Sequence, residues 1–351
     1  MDIDEFVALS VKHNASDLHL CAGHPPMLRI DGELRPLEGA ESLRPERMLA
    51  LCDRLLAPSQ RRELQQRGQL DLALQLPGGL RLRANAFLQR EGISLALRRI
   101  ASECPTLAAL AAPEIIPALL RREDGLILVT GATGSGKSTT LAAMIDEINR
   151  HQRRHILTLE DPIEFMHHSR RSLIQQRELG RDSHSFDDAL RAALREDPDV
   201  ILLGELRDTA TIRLALTAAE TGHLVLATLH TRNAPQAIER LVDVFPAEEK
   251  PYVRAQLAGS LQAVIAQKLI GRPGGGRLAI FEVLTATAAV SSMIREGKNH
   301  QLASVLQTGA QSGMQTFEQG LQQRIDAGLL GDRGEREPAV SPVAFRTSFP
   351  E

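Results

Sequence analysis

The pattern of apolar and polar positions changes near residue 104 and predicts two regions of different architecture. In the first region, apolar residues recur at helical spacing over residues 3–13 and 44–67. Short alternating segments there predict strands at 17–21, 27–30, 70–76, 80–87 and 92–100. Asp31-Gly32 and Pro77-Gly78-Gly79 stand between neighbouring segments and predict hairpin turns. The first region is therefore expected to be a small α/β domain.

The second region contains continuous apolar runs instead of alternating ones. They predict buried strands at 126–130, 156–159, 200–203 and 224–228, separated by helical stretches. This arrangement is typical of a parallel sheet covered by helices on both faces. Residues 248–270 and 285–330 are predicted to be helical, with one more strand at 277–283.

Proline marks the boundary between the two regions. The stretch 105–117, PTLAALAAPEIIP, holds three prolines and predicts a linker. We expect an N-terminal domain over residues 1–103, a linker over 104–118 and a C-terminal domain over 119–330. Residues 331–351 lack periodicity and are expected to be a disordered tail.

Composition narrows the classes of function. The 351 residues are 43% hydrophobic and 24% charged, with 41 basic and 44 acidic residues and a net charge of −3. A globally basic nucleic-acid binder is disfavoured, and with no Trp and one Tyr the chain offers few stacking platforms. We therefore expect no nucleic-acid partner. No apolar run is long enough to cross a bilayer, so we also expect no direct membrane insertion.

A phosphate-binding motif follows the first apolar run of the second region. The residues GATGSGKST, at 131–139, match the pattern GxxxxGK[ST] between a predicted strand and a predicted helix. Backbone N–H groups of such a loop surround phosphate oxygens, its lysine reaches the β- and γ-phosphates, and the following hydroxyl binds Mg²⁺. We therefore predict binding of ATP with Mg²⁺ by Thr133, Gly134, Ser135, Gly136, Lys137, Ser138 and Thr139, with Ser138 as a metal ligand.

Three further strands end in polar residues that could act on the nucleotide. Glu160 and Glu205 each follow an apolar run, where ligands of α/β sheets bind. One carboxylate would complete the Mg²⁺ shell and the other would orient the attacking water. His230 follows the strand 224–228 and could contact the γ-phosphate.

Four boxes in this order resemble one family. They are GATGSGKST, LTLEDPIEF, DPDVILLGELRD and TGHLVLATLHT, and the N-terminal region contributes ASDLHL. Together they are similar to the ATPases of type II secretion and type IV pilus systems, and within these to the PilT-type branch that retracts pili in twitching motility. The resemblance covers about residues 1–330.

The resemblance implies a fold, an assembly and an activity. The fold would be a PAS-like N-terminal domain followed by a RecA-like domain with a helical C-terminal part, assembled as a homohexamer. ATP hydrolysis would do mechanical work on a pilus platform protein of the inner membrane, and indirectly on the pilin filament. The protein would be cytoplasmic and peripheral at that membrane.

The resemblance also assigns residues. Arg81, Arg83 and Arg98 match the family's arginines that complete the nucleotide site, and Arg240 matches another arginine near the nucleotide. RecA-like topology favours Glu160 as the water-orienting residue and Glu205 as the Mg²⁺ ligand.

Two departures from the family pattern bear on the choice of branch. The stretch 268–276 lacks the cysteines of the zinc site that pilus-assembly ATPases carry, which favours retraction. The retraction segment AIRxxIRE is AVSSMIRE here, at 289–296, with Ser291 in place of its first arginine. An accessory retraction paralogue, a pilus-assembly or type II secretion ATPase, a nucleotide-gated regulator and a RecA-like nucleic-acid translocase therefore stay as alternatives.

Overall fold

The computed structural model describes residues 2–13, 15–30, 33–76, 80–100, 104–272 and 276–330. The chain forms two compact units, Met1–Glu103 and Cys104–Glu351. The predicted tail, 331–351, lies outside the described residues, as do the turn residues of the two predicted hairpins. Among the helices that are described, none combines the length and the apolar character needed to cross a membrane.

The first unit is a six-stranded antiparallel sheet in the order β3-β2-β1-β6-β5-β4. Alternation along each strand gives one apolar face, on which helices pack Phe6, Met48 and Leu64 into a single core. The predicted strands are confirmed. The elements are α1 Ile3–Lys12, β1 Asp17–Cys21, β2 Met27–Ile30, β3 Glu33–Pro36, α2 Pro45–Leu55, α3 Pro58–Arg67, β4 Gln69–Gln75, β5 Arg81–Gln89 and β6 Gly92–Arg99.

The continuous helix predicted over 44–67 is wrong, because the chain forms two helices there. Leu56 and Ala57 are extended, and Pro58 is the first residue of α3. Proline lacks the N–H that a helix interior needs and restrains the preceding residue to extended backbone. The spacing of apolar residues alone does not predict this break between the two helices.

The second unit is a seven-stranded sheet in the order β13-β12-β7-β11-β10-β8-β9. Its strands pair in parallel except β13, which is antiparallel to β12. The elements are α4 Ile115–Leu119, β7 Gly125–Thr130, α5 Lys137–His151, β8 His155–Glu160, β9 Leu173–Glu178, α6 Phe186–Ala193, β10 Val200–Leu203, α7 Thr209–Glu220, β11 Leu224–Leu229, α8 Ala234–Asp243, α9 Lys250–Ser260, β12 Leu261–Gly271, β13 Arg277–Thr285, α10 Ala288–Glu296, α11 Leu302–Thr308 and α12 Phe317–Asp326.

Both faces of this sheet are buried, as the continuous apolar runs predict. Leu126 and Leu128 of β7 face one core, which α6 to α11 cover, while Ile127 and Val129 face a second core, which α4 and α5 cover. The mixed α/β class is confirmed.

The structure of the second unit departs from the sequence expectations at three points. The predicted helix over 248–270 is only half helix, because α9 passes directly into β12 at Leu261. Strand β9 was not predicted at all, and its single-sided exposure explains why no apolar run marks it. Leu107 and Ile116, in the stretch predicted as a linker, are buried in the core beside α5.

Candidate nucleotide-binding site

The phosphate-binding loop lies between β7 and α5, as predicted. Gly131 and Gly136 have φ values of 155° and 88°, which side chains disfavour. A Cβ on Gly131 would lie 2.5 Å from the carbonyl oxygen of Gln267, and a Cβ on Gly136 would lie 2.8 Å from its Nε2. Gln267 of β12 therefore lies directly beneath both ends of the loop, and only glycine fits against it.

Lys137 is the first residue of α5 and is 8% exposed. Its Nζ donates to the carbonyl oxygens of Gly131 at 2.8 Å and Ala132 at 3.0 Å, and lies 3.4 Å from Nδ1 of His230. Burial lowers the pKa of Lys137, and the charges of Glu205 and Glu164 oppose that shift.

His230 connects this lysine to a carboxylate. Because an ammonium group only donates, a hydrogen bond between these two groups requires Nδ1 of His230 to accept, which leaves Nε2 as the donor of the ring. Nε2 is 3.3 Å from Oε1 of Glu205. The described contacts therefore run from Lys137 through His230 to Glu205.

Glu205 follows β10 and has a second partner in Arg207, whose Nη2 lies 2.8 Å from Oε2. Burial acts to raise the pKa of Glu205, but the interactions with Arg207 and His230 outweigh it, so the pKa lies below its ordinary value. Glu205 is therefore ionised at neutral pH and suited to a metal-bound role.

Glu160, at the end of β8, lies in a different environment. Its Oε1 accepts from Oγ1 of Thr158 at 2.7 Å and from Nε2 of Gln176 at 3.1 Å. Burial raises the pKa of Glu160, and these two hydrogen bonds oppose the rise. A half-buried carboxylate with a raised pKa is typical of a group that accepts a proton or orients water.

The charge of Glu164, an exposed residue, acts on both Glu160 and Lys137. Sequence reasoning missed Glu164, Arg207 and Gln176 as site residues. The first two stand inside quoted motifs and could have been chosen there. Gln176 lies on the unpredicted strand β9, so no local sequence pattern indicates its role.

The loop contains a polar atom that is suited to a phosphate ligand. Ser135 is 7% exposed, and its Oγ is buried without a hydrogen-bond partner in the described part of the chain. A phosphate oxygen would satisfy it, as it would the free N–H groups at the start of α5. Of the other predicted ligands, Thr133 and Gly134 are exposed, while Ser138 and Thr139 are half-buried in the first turn of α5. Arg240 is exposed in the last turn of α8.

The three remaining predicted arginines lie on the sheet of the first unit. Arg83 of β5 is directly opposite Arg98 of β6, which in turn is opposite Asp17 of β1. Nε of Arg98 donates to Oδ1 of Asp17 at 2.7 Å, and both Arg83 and Arg98 are exposed. Arg81 is buried two residues before Arg83.

Comparison with known proteins identifies relatives that belong to one family. Residues 2–331 match the family model described as Type II/IV secretion system protein. The uncharacterized protein YggR of Escherichia coli (strain K12) is 60% identical over 330 residues, covering 94% of this chain and 100% of YggR. The type IV pilus retraction ATPase PilT of Pseudomonas aeruginosa is 49% identical over 345 residues, covering 98% of this chain and 100% of PilT.

A solved structure of the pilus retraction motor PilT with bound ADP has the same fold. It superposes with a TM-score of 0.89 and 43% sequence identity, covering 94% of this chain and 95% of that chain. The resemblance predicted from the four sequence boxes is therefore confirmed, and the chain belongs to the type II/IV secretion system protein family.

Proposed function

We propose that this chain is an ATP-hydrolysing motor that powers retraction of a type IV pilus. Family membership and the ADP bound in the related PilT structure support ATPase activity. The observation that carries the proposal is the set of contacts from Lys137 through His230 to Glu205, which brings the loop lysine and a strand-end carboxylate together at one edge of the sheet.

The chemistry would divide among the described residues as follows. Lys137 would exchange the carbonyl oxygens of Gly131 and Ala132 for phosphate oxygens, which are stronger acceptors for an ammonium group. Glu160 would orient the attacking water, because its raised pKa suits a proton acceptor.

Ser138 and Glu205 would hold the Mg²⁺ that accompanies ATP, an ion that neutralises charge on the phosphate oxygens. The lowered pKa of Glu205 favours this role, because a ligand for Mg²⁺ must be ionised.

The proposal for the larger assembly rests on analogy with the family. The first unit would be PAS-like, the second RecA-like, and six copies would form a ring. Arg81, Arg83 and Arg98 would offset charge that builds on the γ-phosphate, as arginine fingers do, and Arg240 would lie near the nucleotide. The ring would act from the cytoplasmic side on a platform protein of the inner membrane, and through it on the pilin filament.

An accessory role in retraction is the second candidate. Ser291 of α10 stands where the retraction segment has its first arginine, whereas Ile294, Arg295 and Glu296 agree with that segment. Deletion of the chain in a piliated host with labelled pili separates the candidates. The main proposal predicts long pili that do not retract, an accessory role predicts retraction with reduced force, and bald cells would indicate assembly instead.

The activity is tested on the purified chain with isosteric variants. We expect Glu160→Gln and Glu205→Gln each to lower kcat for ATP hydrolysis about 100-fold or more. Glu239→Gln, an exposed change on α8, is the matched control and should leave kcat unchanged.

Binding of Mg²⁺ then separates the two acids. Glu205→Gln should weaken the Mg²⁺ dependence of ATP binding, and Glu160→Gln should not. If Glu160→Gln keeps hydrolysis while Glu205→Gln abolishes it with Mg²⁺ binding intact, the assigned roles are reversed.

A further inference from the structure

The connection between β11 and α8 is a four-residue segment, 230–233, that begins with His230. It is fixed at its start by a residue from a distant part of the chain. Oγ1 of Thr130 donates to the carbonyl oxygen of Thr231 at 2.8 Å and accepts from the N–H of Thr231 at 3.0 Å. The two hydroxyl oxygens are 2.6 Å apart.

A count of protons gives the direction of each bond. The Thr130 hydroxyl has one proton, which the Thr231 carbonyl oxygen accepts, so the Thr231 hydroxyl is the donor between the two side chains. One side chain thus engages the N–H, the carbonyl and the hydroxyl of a single residue. Thr130 is 0% exposed, so water cannot replace these bonds.

The far end of the segment is fixed separately. The N–H of Ala234, at the start of α8, donates to Oε1 of Glu282 at 2.8 Å, and Glu282 of β13 is 8% exposed. Between the two anchors Arg232 is exposed. The backbone beside His230 is therefore held by Thr130, while the end of the segment is held by α8 and Glu282: the N–H of Arg232 donates to Oε1 of Gln236 at 3.3 Å, and Oδ1 of Asn233 accepts from the N–H of Gln236 at 2.9 Å.

The position of Thr130 gives these bonds a consequence for the site. Thr130 is the residue before Gly131, the first residue of the phosphate-binding loop, and Thr231 is the residue after His230. The same hydroxyl therefore sets the spacing between the loop and His230, whose Nδ1 lies 3.4 Å from Nζ of Lys137.

We propose that Thr130 is a positioning residue for ATP hydrolysis, holding His230 within reach of Lys137 and Glu205. Thr130 itself touches neither lysine nor carboxylate in the described contacts, so it acts through Thr231 and His230. The proposal rests on the ATPase function above and adds to it a residue that the sequence motifs do not assign.

The test uses variants that differ by single atoms. Thr130→Val keeps the shape of the side chain and removes the hydroxyl, whereas Thr130→Ser keeps the hydroxyl. Thr231→Val removes only the bond between the two side chains and leaves both backbone bonds. Steady-state hydrolysis of ATP and the Kd for ADP are measured on each purified full chain.

We expect Thr130→Val to lower kcat about 10- to 100-fold, because small misplacements of site groups have effects of this size. The Kd for ADP should change by less than about twofold, since the described bonds of the Thr130 side chain go to Thr231 and not to the loop amides that would bind phosphate. Thr130→Ser should recover kcat to within about threefold of the unmodified chain, and Thr231→Val should be intermediate. The double variant should be no worse than Thr130→Val alone, because both changes remove the same contact.

Several outcomes would overturn the proposal. One is a folded Thr130→Val variant whose kcat lies within about threefold of normal. Another is a loss of ADP affinity in Thr130→Val that matches its loss of kcat, and a third is a Thr130→Ser variant as slow as Thr130→Val. If Thr130→Val does not fold, Thr130→Ala, which removes the same hydroxyl, decides, and a kcat within about threefold of normal there refutes the role. An unmodified chain without ATPase activity would refute the proposed function itself, whereas an active chain with an active Thr130→Val variant refutes only this inference.

Discussion

The phosphate-binding loop allows a sharp test of how tightly it is packed, because two of its glycines share a backbone conformation but differ in what a Cβ would meet. Gly134 and Gly136 both have left-handed backbone, with φ of 76° and 88°. A Cβ on Gly134 would have nothing within 4 Å, but one on Gly136 would lie 2.8 Å from Nε2 of Gln267. Gly134→Ala is therefore a matched control for Gly136→Ala.

The magnitudes follow from these geometries. Left-handed backbone costs a residue with a Cβ about 1–2 kcal/mol, and both variants bear this cost. Gly136→Ala must also displace Gln267, which is 2% exposed and accepts from Oγ1 of Thr140 at 2.6 Å. Overpacking of a buried site adds about 1–3 kcal/mol. We expect Gly136→Ala to destabilise the second unit by about 2–5 kcal/mol and Gly134→Ala by about 1–2 kcal/mol.

Hydrogen exchange of peptides from α5 and β12, read by mass spectrometry, measures the free energy of local opening in each variant. It reports on the second unit without requiring the two-unit chain to unfold in one step. The two variants share the entropy effect of replacing glycine in the unfolded chain, so their difference isolates the Gln267 contact. Equal protection in the two variants would refute the reasoning that Gln267 packs rigidly beneath the loop.

Three further predictions concern polar groups that are hydrogen-bonded within the protein. Thr158→Val removes a hydrogen bond that opposes the raised pKa of Glu160, so the acidic limb of the profile of kcat against pH should move to higher pH, and Thr158→Ser should move it less. Asp17→Asn should lower stability near pH 7. Burial acts to raise the pKa of Asp17, but its interactions with Ser16 and Arg98 outweigh burial and lower the pKa in the folded chain. The ionised carboxylate therefore stabilises the fold above the unfolded pKa of about 3.9, and this stabilisation is lost as the pH falls through the folded pKa. Urea titrations of the two chains should therefore differ near neutrality by less than about 1 kcal/mol and converge in acid. Glu282→Leu leaves the N–H of Ala234 without an acceptor and should cost about 1–3 kcal/mol by hydrogen exchange, whereas Glu282→Gln keeps an acceptor and should cost less.

Sequence alone predicts those parts of the site in which one short segment determines the local structure and also contains the functional residues. The loop 131–139 is such a segment, because its glycines, its lysine and the helix that follows are adjacent in the chain. The strands that precede Glu160, Glu205 and His230 are similarly marked by continuous apolar runs. The class of fold follows from the same runs.

The contacts that sequence does not predict join residues far apart in the chain. Thr130 meets Thr231 across 101 positions, and Thr140 meets Gln267 across 127. No local sequence pattern predicts which of these distant residues form hydrogen bonds with each other. Strand β12 shows the same limit, because an apolar run that is buried on both faces has the composition of a buried helix as well as of a strand.

The position of β12 has a consequence for the architecture of the second unit. This strand lies between β7, which leads into the phosphate-binding loop, and β13, and it enters the sheet directly from α9. Removing the chain from Leu261 onward would leave β7 at an open edge of the sheet, with unpaired backbone groups and no support under Gly131 and Gly136. The segment from β12 onward is thus part of the nucleotide site and not an appendage that could be exchanged, and recombination between relatives should succeed only when β7, its loop and β12 come from the same parent.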